Sequence, residues 1–335
     1  MITGTAQQND AAQRVFGSIF ELIRHDLVKV EDLLRGQLRS ADPYVDQLVK
    51  HGFRLGGKRL RPALLLLAAA ATGTLGPAHI TLAVVMEMIH TATLVHDDVL
   101  DEASLRRHLD TVNARWGNKS GVLLGDFLFS HAFILAATLD DAYACQLIGR
   151  STNIVCEGEM RQIHSGGNLN LTEAEYQSII DAKTAELCAC SCRLGAHFSG
   201  ASKEQVDAVT RYGRKLGVAF QIVDDLLDLE GSEETTGKSL GTDLAQLKPT
   251  LPLIRLLSQL NSADRGTVVA LLTSTDSNRR EKLEPWLTQS DGIRYSRETA
   301  LGYAREAQAE LALLPEGPAR DALERLAESV VRREA

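Results

Sequence analysis

Apolar residues recur at helical spacing along almost the whole of this chain, and nowhere is a strand-like alternation sustained. Between residues 11 and 38 they fall at Val15, Phe16, Ile19, Leu22, Ile23 and Leu27, one stripe of a 3.6-residue repeat. Comparable stripes predict helices over about 42–51, 60–72, 78–104, 111–116, 120–139, 141–165, 173–198, 203–230, 249–260, 264–274, 279–288, 293–313 and 318–334. Two starts carry a capping box, Thr172 with Glu175 and Ser202 with Gln205, and Gly73, Gly200, Gly231 and Pro315 read as stops. No Asn-Gly or Asp-Gly turn joins two strand-like runs; Asp291-Gly292 lies between helical patterns. The expected fold is all-α, a single large helical bundle. Its 335 residues would allow two domains, but no low-complexity linker divides them. Residues 1–10 read as a disordered polar tail and 11–335 as one domain. The longest break, Gly231 to Lys248, is polar, and loops of that length within a domain are often functional.

Composition removes several classes of function. With 36 basic and 44 acidic residues the formal charge is −8, so no nucleic-acid partner is expected. The five cysteines are odd in number and form no Cys-x-x-Cys pair, which argues for a reducing compartment. Cys188, Cys190 and Cys192 alternate within an Ala/Leu-rich helical stretch. Helical i and i+2 face different ways, so they read as small core residues and not as a soft-metal site. The polar N-terminus shows no secretory pattern, and the apolar run Pro62 to Ala71 is too short to span a bilayer. A cytoplasmic location is expected, with at most peripheral membrane contact.

The chemistry concentrates in a repeated motif. Asp97-Asp98-Val-Leu-Asp101 and Asp224-Asp225-Leu-Leu-Asp228 share the form D-D-x-x-D, with first and last Asp on one helix face. Each follows an apolar run, Leu94-Val95 and Ile222-Val223, where clustered carboxylates are costly unless a cation neutralises them. A hard divalent ion such as Mg²⁺ fits, since it takes oxygen ligands and accepts phosphate oxygens. A solvated acidic face would explain one such motif; two, both in apolar helices, suggest a cage for a metal–diphosphate cluster. Cations supply the complement: Gly56-Gly57-Lys58-Arg59-Leu60-Arg61-Pro62 at a helix start, Arg106-Arg107 after the first triplet, Lys183-Thr184 in a helix, and Lys238 and Lys248 beyond the second triplet. Any one alone reads as a surface cation; together they describe room for two diphosphates.

These residues resemble the trans-isoprenyl diphosphate synthases, or polyprenyl synthetases, from about residue 25 to 334. The motifs stand in the family's order: GGKRLRP (56–62), HTATLVHDDVLDEASLRRH (90–108), GDFLFSHAF (125–133), EGEMRQI (157–163), KTAEL (183–187), FQIVDDLLD (220–228) and GKSLGTDL…KPTLPL (237–253). The resemblance implies an all-α fold around a deep central cavity, a homodimer, and three Mg²⁺ ions per site. It implies that Asp97, Asp98 and Asp101 form the first metal motif and Asp224, Asp225 and Asp228 the second, with Asp224 the most direct ligand. Lys58, Arg61, His90 and Arg107 match positions that bind isopentenyl diphosphate, with Arg59 in the same motif. Arg106, Lys183, Thr184, Gln221 and Lys238 match positions that bind the allylic diphosphate, with Lys248 a further candidate. Two departures stand out: His108, where Gly or Asn is common, and Ala245-Gln-Leu, where the stretch is usually more charged.

The implied reaction is ionisation of the allylic diphosphate, attack by the isopentenyl double bond, and loss of a proton. Chain length is expected to follow the helix before Asp97. Thr93 and Ala92, four and five residues earlier, are small where short-chain members carry an aromatic, and Ile89, eight residues before Asp97, lies about 12 Å below that aspartate. Met86, Phe127, Phe129 and Phe133 read either as a floor or as core. A medium to long all-trans product is expected, about C30 to C50 and centred on octaprenyl, from a farnesyl or geranylgeranyl primer. The alternatives are a short-chain synthase, a class I terpene cyclase, a non-catalytic subunit of a heteromeric synthase, and a His-Asp phosphohydrolase suggested by His96-Asp97. For the last, the remaining histidines are scattered.

Overall fold

The computed structural model describes residues 19–54, 57, 59–230, 244, 246–274 and 278–332. The expected N-terminal tail, Lys58 and Lys238 lie outside the described residues. The chain runs as α1 (Arg24–Gln37), α2 (Pro43–Arg54), α3 (Leu60–Thr72), α4 (Pro77–Leu100), α5 (Val112–Trp116), α6 (Asn118–Ala137), α7 (Ala142–His164) and α8 (Glu173–Ile180). It continues with α9 (Glu186–Phe198), α10 (Lys203–Glu230), α11 (Leu251–Gln259), α12 (Ser262–Leu272), α13 (Arg279–Gln289), α14 (Gly292–Glu310) and α15 (Pro318–Val331).

Helix α3 lies in the interior, with Ala63 through Ala69 fully buried, as expected of a helix that is apolar all round. It packs between α4 and α9, and α9 packs in turn on α10. Each buried Leu of α3 contributes about 1.5–3 kcal/mol, so truncating Leu66 to Ala is expected to cost roughly 2–5 kcal/mol. The main apolar cluster takes in Ile19 near one end of the described chain and Val330 near the other. Helices α11 to α13 gather a smaller cluster, which includes Leu256, Leu272 and Leu283. Both capping boxes form: the Thr172 hydroxyl accepts from Glu175 N–H, and that of Ser202 from Gln205 N–H.

Three features depart from the sequence reading. First, α4 stops at Leu100 rather than 104, and an antiparallel hairpin follows, Leu105–Arg106 against Leu109–Asp110. Arg107 and His108 make its turn with φ of 53° and 61°, the left-handed pair that a type I′ turn demands. Without Gly or Asn there, the sequence carries no turn signal. Second, the predicted helix 173–198 is broken by a π-helical segment, Asp181–Ala185. Third, α4 and α6 join the run 62–71 as apolar stretches, and both are long and apolar enough to cross a membrane by length and composition. Most of α4 is core, whereas α6 is covered largely on one face.

Candidate active site

Both Asp triplets stand at helix C-termini. Asp97 and Asp98 occupy the last turn of α4 and Asp101 its C-cap; Asp224, Asp225 and Asp228 lie in the last two turns of α10. Exposed carbonyls give that end of a helix a partial negative charge, so acidic side chains there deepen a negative potential that a cation must offset. The end of α4 is sharpened by a Schellman turn, with Ala103 N–H on Asp98 O at 2.9 Å and Glu102 N–H on Val99 O at 3.3 Å. Glu102 takes the left-handed position with φ of 52°, a conformation that costs a non-glycine residue about 1–2 kcal/mol.

Every carboxylate of the first triplet faces a cation from another part of the chain. Arg106 Nε donates to Asp98, 1% exposed, at 2.8 Å. Lys248 Nζ donates to Asp101 Oδ1 at 2.8 Å, while Gln246 donates its amide to the Asp101 carbonyl at 3.1 Å. Lys183 Nζ lies 3.6 Å from Asp97 and 2.6 Å from Glu159 of α7. Burial opposes the charge on Lys183, but Asp97, Glu159 and Asp101 outweigh it and hold the ammonium above its ordinary pKa. Burial, then the charge of Asp97, raises the Glu159 carboxyl against the pull of Lys183.

In the second triplet, Asp225 accepts from two neutral donors. Tyr176 OH donates to Asp225 Oδ2 at 2.6 Å, and Gln221 Nε2 to Asp225 Oδ1 at 2.7 Å. The Gln221 carbonyl in turn accepts the Thr184 hydroxyl at 2.7 Å. Lys183 and Thr184 are thus consecutive residues of the π segment that reach different triplets, one to Asp97 and the other, through Gln221, to Asp225. Lys248 closes the same gap, since it holds Asp101 and lines a narrow crevice with Asp225 and Asp228. The two motifs, more than a hundred residues apart in sequence, therefore converge. π-segments of this kind are frequent at functional sites.

A cluster of guanidiniums surrounds His90. Burial drives its imidazole pKa well below 6.5, and Arg61, Arg106, Arg107 and Arg59 push it further the same way. The ring is therefore neutral near pH 7, a dipole among cations. Arg107 is itself lowered by burial and then by Arg106, while Glu87 and Asp224 pull it back. Its guanidinium lies against Gly57, where a Cβ would fall 2.8 Å from Nη2. Arg61 Nε is buried without a hydrogen-bond partner among the described residues. Arg59 differs: its guanidinium donates to Glu31 and, at 2.7 Å, to Glu87, and it stacks over the Phe53 ring. It braces the cluster from behind.

The expected chain-length positions lie on the buried side of α4. Ala92 and Ile89 are 0% and 1% exposed, and Met86 meets Cys190 of α9 with the sulfurs 4.0 Å apart. Thr93 is half-buried and turns its hydroxyl back to His90 O at 2.8 Å. Cys188, Cys190 and Cys192 are buried core residues. Sequence reasoning passed over Glu159, Tyr176, Glu87 and Gln246. Two left a signal, Glu159 inside the run 157–163 and Gln246 inside Ala245-Gln-Leu.

The donor set is one of hard oxygens, suited to a divalent ion of the Mg²⁺ or Ca²⁺ class. Among the described residues, no three His, Cys, Asp or Glu side chains stand close enough to hold a metal as they are. Cationic side chains balance the first triplet instead.

The family model described as Polyprenyl synthetase matches residues 42–289. The octaprenyl diphosphate synthase of Escherichia coli K12 is 36% identical over 319 residues, covering 94% of this chain and 98% of that protein. The crystal structure of a decaprenyl diphosphate synthase from Rhodobacter capsulatus superposes with a TM-score of 0.90 at 36% identity, covering 95% of this chain and all (100%) of that one. A polyprenyl synthase from Caulobacter crescentus CB15, solved with calcium and isoprenyl diphosphate, gives a TM-score of 0.90 at 35% identity, covering 96% and 98%.

Proposed function

The chain belongs to the polyprenyl synthetase family, and from that premise we propose that it joins isopentenyl diphosphate repeatedly to an allylic diphosphate, making a medium- to long-chain all-trans polyprenyl diphosphate. The observation that carries this reading is the convergence of both Asp triplets on Lys183–Thr184 and Lys248, beside the arginine cluster around His90. The names of the relatives, octaprenyl and decaprenyl diphosphate synthases, support the chain-length class.

Mg²⁺, held by Asp97, Asp101 and Asp224, would supply Lewis-acid stabilisation of the leaving diphosphate, and the calcium in the Caulobacter relative supports a divalent ion of this class. Lys183, Lys248 and Arg106 then serve as preorganised cations. Lys183 and Lys248, released from the carboxylates, and Arg106, still paired with Asp98, face the charge that grows on the diphosphate as its bond to the allyl group breaks. Thr184 and Gln221 present oxygen dipoles beside the resulting allylic cation. Arg61 and Arg107 hold the second diphosphate, with Lys58 completing that set, and neutral His90 orients it without adding charge. Holding both substrates turns a collision into an intramolecular attack. The apolar face of α4 keeps out the water that would quench the cation. Lys238 is assigned to the allylic diphosphate on the family motif alone.

The growing tail passes along Thr93, Ala92 and Ile89. We also propose that the chain pairs with a second copy through the outer faces of α6 and α7, where Leu123, Ile134, Met160 and Ile163 are 67%, 65%, 61% and 58% exposed. Light scattering of Leu123→Arg should then report half the wild-type mass.

Purified protein with Mg²⁺, isopentenyl diphosphate and each allylic primer, followed by sizing of the dephosphorylated products, tests the reading. Products of about C30 to C50 are expected. Ala92→Phe should shorten them while the first condensation survives. Absence of any elongation would overturn the function, and unchanged length in Ala92→Phe would overturn the channel.

A further inference from the structure

In the first triplet the three ion pairs are not equivalent. Asp98 and Asp101 each hold a cation at 2.8 Å, within hydrogen-bond range. Asp97 stands 3.6 Å from Lys183, beyond that range, because the ammonium sits 2.6 Å from Glu159 instead. The fold builds this preference. At Gly158 a Cβ would fall 2.8 Å from Ala182 Cβ and from Lys183 N, so only glycine lets α7 lie against the π segment. Glu159, the next residue, then arrives beside Lys183. Both side chains are mostly covered, 16% and 21% exposed, so solvent screens their attraction only in part.

We propose that Glu159 is a positioning residue that draws the Lys183 ammonium off Asp97 and so keeps that carboxylate open to a divalent cation. The inference rests on the metal-assisted reading above. It gives the fourth carboxylate beside the first triplet a role distinct from ligation: without it, Lys183 would close on Asp97 as Arg106 closes on Asp98, and an incoming ion would have to displace it. The π segment serves the same end, since it holds Lys183 between two carboxylates while Thr184 stays fixed on Gln221.

A double-mutant cycle read by Mn²⁺ binding, with paramagnetic resonance on the full chain and no diphosphate present, tests this. Glu159→Gln should weaken Mn²⁺ binding about tenfold, and Glu159→Asp, which keeps the charge on a shorter arm, should weaken it less. In a Lys183→Ala background, Glu159→Gln should change nothing, because no ammonium remains to be drawn aside. Unchanged affinity in the Glu159→Gln single variant would overturn the proposal. So would an undiminished loss in the Lys183→Ala background, which would make Glu159 a ligand in its own right. Asp97→Asn separates the two layers: if it binds Mn²⁺ as tightly as wild type, the metal-assisted reading itself fails.

Discussion

At the end of α4 the middle aspartate, Asp98, is buried against a guanidinium; at the end of α10 its counterpart, Asp225, is buried against a phenol and an amide. The two motifs share residue types, spacing and place on a helix, yet their middle carboxylates meet different partners: a guanidinium at Asp98, a phenol and an amide at Asp225. Spacing decides which carboxylates share a face. Neighbours from elsewhere in the chain decide what each carboxylate is for. On the proposed reading, Asp97 and Asp101 of the first triplet trade their ammoniums for metal and phosphate. In the second, Asp225 ties Gln221 and Thr184 into register.

The contrast predicts unequal costs. Asp98→Asn strips Arg106 of its buried counter-charge and should destabilise the fold by about 3–5 kcal/mol. Asp225→Asn loses hydrogen bonds to a charged acceptor, about 1.5–3 kcal/mol. Denaturant unfolding of both variants decides, and equal losses would erase the distinction. Tyr176→Phe should next lower kcat/KM for the allylic substrate about tenfold, the equivalent of one charge-assisted hydrogen bond, while the KM for isopentenyl diphosphate stays put.

Acid should act through the arginine cluster. The folded pKa of His90 lies well below 6.5, so below that pH the unfolded chain binds a proton that the folded chain does not. Stability is therefore complete above about pH 6.5 and falls as pH drops, by up to about 1.4 kcal/mol per pH unit for one such group. Buried His79 is lowered too and adds to the slope. His90→Gln should flatten the thermal-melt profile between pH 7 and 5 without abolishing it. The smallest effect is expected at the hairpin. His108→Asn, which tolerates φ of 61°, should stabilise the fold by about 1 kcal/mol, seen as a raised melting temperature.

Much of this was legible in the sequence, because helical periodicity is a local signal. The reading of 203–230 matches α10, and that of 60–72 matches α3. The Asp triplets and the cations Arg106, Lys183 and Lys248 could also be read, since charge at the edge of an apolar helix needs a reason. The π segment could not, since its neighbours, among them Ile179, Ile180, Ala182, Ala185 and Leu187, are apolar on several faces and hide the phase shift that one extra residue makes. Nor could the hairpin, where Arg107 and His108 hold a left-handed turn that tertiary contact enforces against their own preference. Tyr176 was hidden because it reads as an ordinary apolar position of α8; only its hydroxyl, reaching Asp225 from 49 positions away, gives it a role.

The central claim is that both triplets face one diphosphate–metal site. Anomalous scattering from crystals grown with Mn²⁺ and inorganic pyrophosphate tests it most directly. The expected map places manganese between Asp97–Asp101 and Asp224, with pyrophosphate against Lys183 and Lys248. Manganese bound to one triplet alone, with pyrophosphate elsewhere, would contradict it.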